Sequence, residues 1–238
     1  MNSFKSPSFL AVARESLSGF EFARLAAAVP VLRRQPKGNG EPVMVLPGYA
    51  ASDRSTVPLR AYLSWLGYDT CGWDLGRNTG NVRELLPRVA NRVRLIGQQK
   101  GSVNLIGWSL GGVIAREVAR EIPAMVRQVV TMGSPVVGGP KYTSLGSAFA
   151  GQGVDLDAIE ARIAARESRP IRVPVTSIYS KRDGIVSWQA SIDRHNPQVD
   201  HIEVGATHLG LGISPDVFRI IAAKLVNPVP ARKRENQL

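Results

Sequence analysis

Apolar positions along this chain fall into two alternating rhythms. Short, nearly continuous apolar runs occur at Val43 to Leu46, Tyr68 to Trp73, Val103 to Ile106, Gln128 to Met132, Val173 to Tyr179 and Val199 to Val204. Runs of that length bounded by turn residues are what strands buried on both faces look like. Between them the apolar residues recur at helical spacing. Leu59, Tyr62, Leu63 and Leu66 make one stripe, opened near Ser55 with Pro58 in the first turn and stopped by Gly67. Asn81-Val82-Arg83-Glu84 has the form of a capping box, and Val82, Leu85, Leu86, Val89, Val93 and Ile96 follow on one face. A further helix carries Val113, Ile114, Val118 and Ala119 as far as Pro123, and a last one starts at Ser214-Pro215-Asp216 and runs to about Val226. Strand and helix in regular alternation predict an α/β protein, with a mostly parallel sheet and helices on both faces.

Two stretches depart from this rhythm. Phe9 to Leu32 has helical spacing in part, but Lys5, Arg14, Glu15, Glu21 and Arg24 interrupt every stretch long enough for a signal sequence or a membrane span. Such a segment can lie on the body of the protein, on a partner or on a bilayer surface, and docking on its own domain is the expectation. Pro36-Lys37-Gly38-Asn39-Gly40 then reads as a linker. This predicts an N-terminal helical segment and linker over 1–40, one domain over 41–228 and a basic tail over 229–238. The second departure lies between Gly133-Ser134-Pro135 and Pro174, a connection rich in glycine that holds one predicted helix from Asp155 to about Glu167. It predicts a small cap over about 136–170, with Leu145, Phe149, Ile159 and Ile163 offering apolar surface to a substrate.

Composition narrows the class. With 238 residues, 44% hydrophobic and 21% charged, the chain can bury the core of one α/β domain and is not a disordered polypeptide. Thirty Lys and Arg against nineteen Asp and Glu give a formal net charge of +11, which favours approach to anionic surfaces or substrates. The basic residues are scattered apart from Arg33, Arg34 and Lys37 at one end and Arg232, Lys233 and Arg234 at the other, so no nucleic-acid partner is expected. The single cysteine, Cys71, forms no internal disulfide and sits in an apolar run, and no Cys/His group has metal-ligand spacing. The expected location is the cytoplasm, and neither a metal nor an organic cofactor is implied.

The chemistry gathers at Gly107-Trp108-Ser109-Leu110-Gly111-Gly112, which follows a predicted strand directly and opens a predicted helix. That context suits a nucleophile elbow, in which a sharp turn presents a serine and glycines make room for it. Serine needs a base to take its proton and a third group to orient that base. The chain has three histidines: His201 lies inside a predicted strand, His195 in a polar loop, and His208 after the last strand in Ala206-Thr207-His208. Asp183 stands in a turn directly after the strand ending at Tyr179, with Asp193 and Asp200 as rivals for the acid.

Together with Leu46-Pro47-Gly48-Tyr49 and Gly133-Ser134-Pro135, these motifs resemble the α/β-hydrolase lipase and esterase family over residues 43 to 226. The order Ser109, Asp183, His208 is the order that fold expects. The resemblance implies an ester hydrolase working through an acyl-enzyme on Ser109, on a small-molecule ester or a lipid, with peripheral membrane contact as a further implication. It maps the oxyanion donors to the N–H groups of Tyr49, with Ala50 beside it, and Leu110. Pro47 stands where the family often has histidine, and Trp108 stands beside the nucleophile, where its indole can line the acyl pocket or pack the core. An acyltransferase or amidase would use the same three residues, and a binding protein of the same fold would use none of them.

Overall fold

A computed structural model of the protein describes residues 4–167, 169–196 and 198–227; the predicted basic tail lies outside them. The six apolar runs form one sheet: β1 (Pro42–Leu46), β2 (Asp69–Gly72), β3 (Val103–Trp108), β4 (Val126–Met132), β5 (Val175–Tyr179) and β6 (Asp200–Glu203). Every neighbouring pair is parallel and the order is β2-β1-β3-β4-β5-β6. The order reverses between β1 and β3. The loops leaving those two strands therefore diverge to opposite faces and open a crevice at the carboxyl ends, the usual place for a site in an open parallel sheet.

The helices are α1 (Phe9–Arg14), α2 (Phe20–Leu32), α3 (Val57–Trp65), α4 (Val82–Lys100), α5 (Leu110–Glu121), α6 (Gly146–Gly151), α7 (Leu156–Glu167) and α8 (Pro215–Val226). Alternate residues of each central strand serve opposite faces. Val43, Val45 and Ile106 join Leu59 and Leu63 of α3, Leu32 of α2, and Val217, Phe218 and Ile221 of α8 in one cluster. Met44, Leu46 and Leu105 join Leu85 and Val89 of α4 and Ile114 and Val118 of α5 in the other. Asn81 caps α4 as its sequence implies: its Oδ1 accepts from the Glu84 N–H (3.4 Å) and its amide donates to the Glu84 carboxylate (3.2 Å).

Inside the predicted cap the structure has α6 as well as α7. A 3₁₀ turn at Gly139–Tyr142 starts the insertion and is stitched to the loop after β5, because Val137 N–H donates to Ala190 O, Ser144 N–H to Ile185 O and Ser187 N–H to Tyr142 O. Lys141 holds α7 through Asp157 and Glu160 (both 2.6 Å). Ile159 and Ile163, expected to face a substrate, instead pack on this turn: a Cβ on Gly139 would lie 2.5 Å from Ile163 Cδ1. Their helical spacing marked an apolar face, but that face covers the insertion's own start.

The far end of α7 is fixed by charge. Arg116 on α5, buried, pairs with Glu167 (3.1 Å) and with Asp193, and Arg120 pairs with Glu167 (2.7 Å) and Glu117. Burial works against the charge on Asp193, but the Arg116 guanidinium and hydrogen bonds from Asn196 outweigh it and bring its carboxyl down to about 2. A folded value below the ordinary 3.8 means that this stabilisation is complete above that pH and is lost as the pH falls toward 2. Asp193→Asn leaves Arg116 buried without its nearest counter-charge, so it should cost about 3–5 kcal/mol in chemical denaturation at pH 7. The difference from wild type should shrink as unfolding is measured at lower pH; a constant difference down to pH ~2 contradicts the pairing.

Candidate active site

β3 ends where α5 begins, and Ser109 is the single residue between them. It takes φ 54° and ψ −123°, outside the regions that side chains ordinarily prefer. The crossing tolerates this only because two flanking positions lack a Cβ. One on Gly107 would lie 2.3 Å from Gly112 Cα, and one on Gly111 would lie 2.4 Å from Leu46 O. Ser109 N–H donates to Met132 O (2.8 Å), which fixes the turn against the end of β4.

The other two predicted residues meet at the same strand end. Gly133 follows Met132 at φ +53°, and a Cβ there would come within 2.7 Å of Leu211, 2.8 Å of Asp183 Oδ2 and 3.0 Å of His208 Nδ1. Those two atoms are 2.7 Å apart and both side chains are buried. A carboxylate only accepts, so the imidazole Nδ1 carries the proton, and Nε2 is the nitrogen turned away from Asp183. The second oxygen of Asp183, Oδ1, accepts from the N–H groups of Ile185 (2.9 Å) and Val186 (2.7 Å), so the acid loop folds around its own carboxylate.

Neither rival acid reaches His208. Asp193 is engaged with Arg116, and Asp200 pairs with Lys224 (2.5 Å) on α8. The other histidines are also placed elsewhere. His201 Nε2 accepts from the Asp193 N–H (2.9 Å), which requires a neutral ring, and burial above all lowers its pKa. His195 is exposed.

Tyr49 and Leu110 flank Ser109 from the loop after β1 and from the first turn of α5. A Cβ on Gly48 would lie 3.2 Å from Ser109 Cβ, so this loop runs directly beside the serine. Of the two oxyanion candidates in that loop, Ala50, at φ 58°, already commits its N–H to Asn78 O (2.8 Å). Asn78, fully buried, was not singled out in the sequence. Its side chain donates to Pro47 O (2.9 Å), its N–H to Ala51 O (2.8 Å), and its Oδ1 accepts from the Gly80 N–H (3.1 Å). It ties the loop after β1 to the 78–80 turn.

The rim is aromatic. The Tyr49 and Phe149 rings meet edge to face with centroids 5.3 Å apart, which brings α6 over the loop after β1. Leu145, at the start of α6, is 40% exposed and Tyr49 42%. Trp108, the last residue of β3, packs on the α8-side core. Its ring lies against Gly212, with its centroid 6.1 Å from that of His208, so it backs the imidazole.

No protein-family model matches the chain, and neither does any curated protein sequence. Solved structures do. One of the metagenome-derived lipolytic enzymes LipS and LipT superposes with a TM-score of 0.61 at 13% identity, covering 81% of this chain and 94% of that one. A monoacylglycerol lipase from Paleococcus ferrophilus gives 0.60 at 18% identity, with 79% and 96% covered. The mouse α/β-hydrolase domain-containing protein 10 gives 0.55 at 19%, with 82% and 91% covered. With its six parallel strands in the order described, the chain has the α/β-hydrolase fold.

A serine on such a turn should react with a fluorophosphonate. Mass spectrometry should locate the adduct on Ser109, and Ser109→Ala should abolish it. Asp183→Asn should slow labelling by up to about 10⁴-fold, the scale seen when a histidine loses its orienting acid. Asp200→Asn should label at the wild-type rate; if it is the slowed variant, the acid has been misassigned.

Proposed function

We propose that this protein is a serine hydrolase of carboxylic esters. The observation that carries the reading is the convergence, at the ends of β3 and β4, of a strained, glycine-flanked serine with a buried Asp183–His208 couple. In the proposed reaction Ser109 Oγ attacks the ester carbonyl while its proton passes to His208 Nε2. Asp183 holds the Nδ1 proton and stabilises the imidazolium. The N–H groups of Leu110 and Tyr49 hold the oxyanion; loss of one such donor elsewhere costs about 10²–10³ in rate. His208 then returns the proton to the leaving alcohol, and a water attacks the acyl-enzyme by the same steps in reverse. Similar structures include lipolytic enzymes, which supports the ester class.

The acyl group is assigned to the rim formed by Tyr49, Leu145 and Phe149. α6 reaches the loop beside the serine through Phe149, and α7 is occupied by its own packing, which favours short to medium acyl chains. Purified protein should hydrolyse nitrophenyl esters, with preference for those chains, and Ser109→Ala should lose at least about 10³ in kcat. Alanine at Leu145 and Phe149 should move the chain-length optimum while changing Tm little. A large fall in Tm with an unchanged optimum would make α6 structural. An added alcohol that captures most of the acyl group would make the enzyme a transferase.

Lipid is the favoured form of the substrate, because the N-terminal segment presents an apolar and cationic outer face. Phe9 is 85% exposed and Phe20 70%, with Leu10, Leu17 and Phe22 also outward, while Glu15 and Glu21 are buried and Lys5, Arg14, Arg33 and Arg34 are exposed. Such a face fits an anionic bilayer surface. Sedimentation with vesicles containing phosphatidylglycerol should retain the protein, and Phe9→Ser/Phe20→Ser should release it. Equal retention of the variant would remove the segment from that role.

A further inference from the structure

The acid loop and the histidine loop are bound to each other through a residue that belongs to neither. Glu15 opens the 3₁₀ turn between α1 and α2, and only 7% of it is exposed. Its Oε1 accepts from the N–H groups of Gly184 (2.8 Å) and His208 (2.9 Å), and its Oε2 accepts from the N–H of Leu209 (2.8 Å). One bond goes to the residue after Asp183 and another to the backbone of His208 itself. A carboxylate that replaces its lost water with three N–H donors is held in one orientation, because each bond is charge-assisted and directional.

The rest of the segment is shaped to bring Glu15 there. Ala11 O lies so close to Gly184 that a Cβ on that glycine would fall 2.2 Å away, so the chain runs flush against the acid loop. On the other side a Cβ on Gly210 would lie 3.2 Å from Glu21 Cγ, so the segment also covers the histidine loop. Glu21 is held in turn by Arg24 (2.8 Å), which reaches Asp216 at the start of α8 (2.7 Å).

We infer that Glu15 is a positioning residue of the active site, and that the N-terminal segment sets the distance and angle between Asp183 and His208. The inference rests on the reading of Ser109, Asp183 and His208 as a catalytic set. Asp183 fixes its own loop with Oδ1 and His208 with Oδ2, but it does not bind the histidine's backbone. Glu15 supplies that missing tie. Without it the two loops can separate by a fraction of an ångström while the sheet and both cores stay intact, and a displacement of about 1 Å in a reacting group can cost about 10²-fold in rate.

The test uses the full-length protein. Glu15→Gln keeps the size of the side chain but puts an amide N–H₂ where an acceptor is needed, and Glu15→Asp keeps the charge with a shorter reach. Wild type and Ser109→Ala are assayed first, so failure of the ester-hydrolase reading appears before any Glu15 variant is interpreted. The expected result for Glu15→Gln is a 10- to 100-fold fall in kcat with KM within about twofold, and Glu15→Asp should fall between it and wild type. The low-field proton signal of the His208–Asp183 hydrogen bond should broaden or vanish in Glu15→Gln, a readout that needs no substrate. Leu25→Ala, which loosens α2 on the α8-side core and not at the two loops, should lower Tm and leave both readouts in place. Wild-type kcat and an unchanged proton signal in Glu15→Gln, whatever its Tm, would overturn the inference. If Glu15→Gln does not fold, the same two outcomes in Glu15→Asp decide it.

Discussion

β3 and α5 approach more closely than side chains permit, and the site follows from that approach. Gly107 abuts Gly112 and Gly111 abuts the Leu46 carbonyl, so the helix can start one residue after the strand ends. The intervening Ser109 then has no choice but φ 54°, a conformation costing on the order of 1–3 kcal/mol for a residue with a Cβ. The surroundings over-determine it: β1 supplies the carbonyl against Gly111, and β4 supplies the acceptor for the serine N–H. Two central strands, both buried on both faces, therefore hold the serine still. The reversal of strand order between β1 and β3 also leaves the crevice above it open.

The positive surface and the fixed interior are two sides of one distribution. Glu15, Glu21, Glu117, Glu167, Asp183 and Asp193 are all buried, and each ends on an arginine, a histidine or backbone N–H groups. Acids drawn inward to fasten loops leave the outside richer in cation than the composition alone would suggest. This is how a chain with a net charge of +11 keeps its self-repulsion at the surface, where solvent and salt screen it, and uses its carboxylates where the dielectric is low.

Much of this was legible in the sequence, for a local reason. All six strands, the cap on α4, the stripe on α3 and the glycines of the elbow are set by neighbours within one turn or one strand, and those patterns survive folding. Asp183 and His208 were legible because each follows a strand that could be counted. Four things were not. α6 is short and rich in glycine and alanine, and its periodicity is too weak to see. The apolar face of α7 was visible, but nothing local says whether it covers substrate or its own turn. Glu15 looked like a charge interrupting an apolar stretch, because its partners lie 169, 193 and 194 residues away. Asn78 escaped notice for the same reason, being 31 residues from the carbonyl it holds.

The two ends of the N-terminal segment are attached by different forces, and this decides which end moves first. α2 is held by apolar contact, with Leu25, Ala28 and Leu32 on the α8 cluster, whereas α1 buries no residue at all. From Phe4 to Arg14 the attachments are the Phe4 ring on Tyr142 and Arg194, the flush contact of Ala11 and the bonds of Glu15, set against an ordering cost of about 1–2 kcal/mol per residue. Charge-assisted bonds at about 1.5–3 kcal/mol each can hold a turn against that cost, but not a turn and a free helix with a wide margin. Opening of the segment should therefore begin at α1 and proceed to Glu15 before α2 lifts, which places the joint between the acid and histidine loops at the low-stability end of the molecule. A contact that steadied the exposed face of α1 would steady that joint as well, through the same three hydrogen bonds of Glu15.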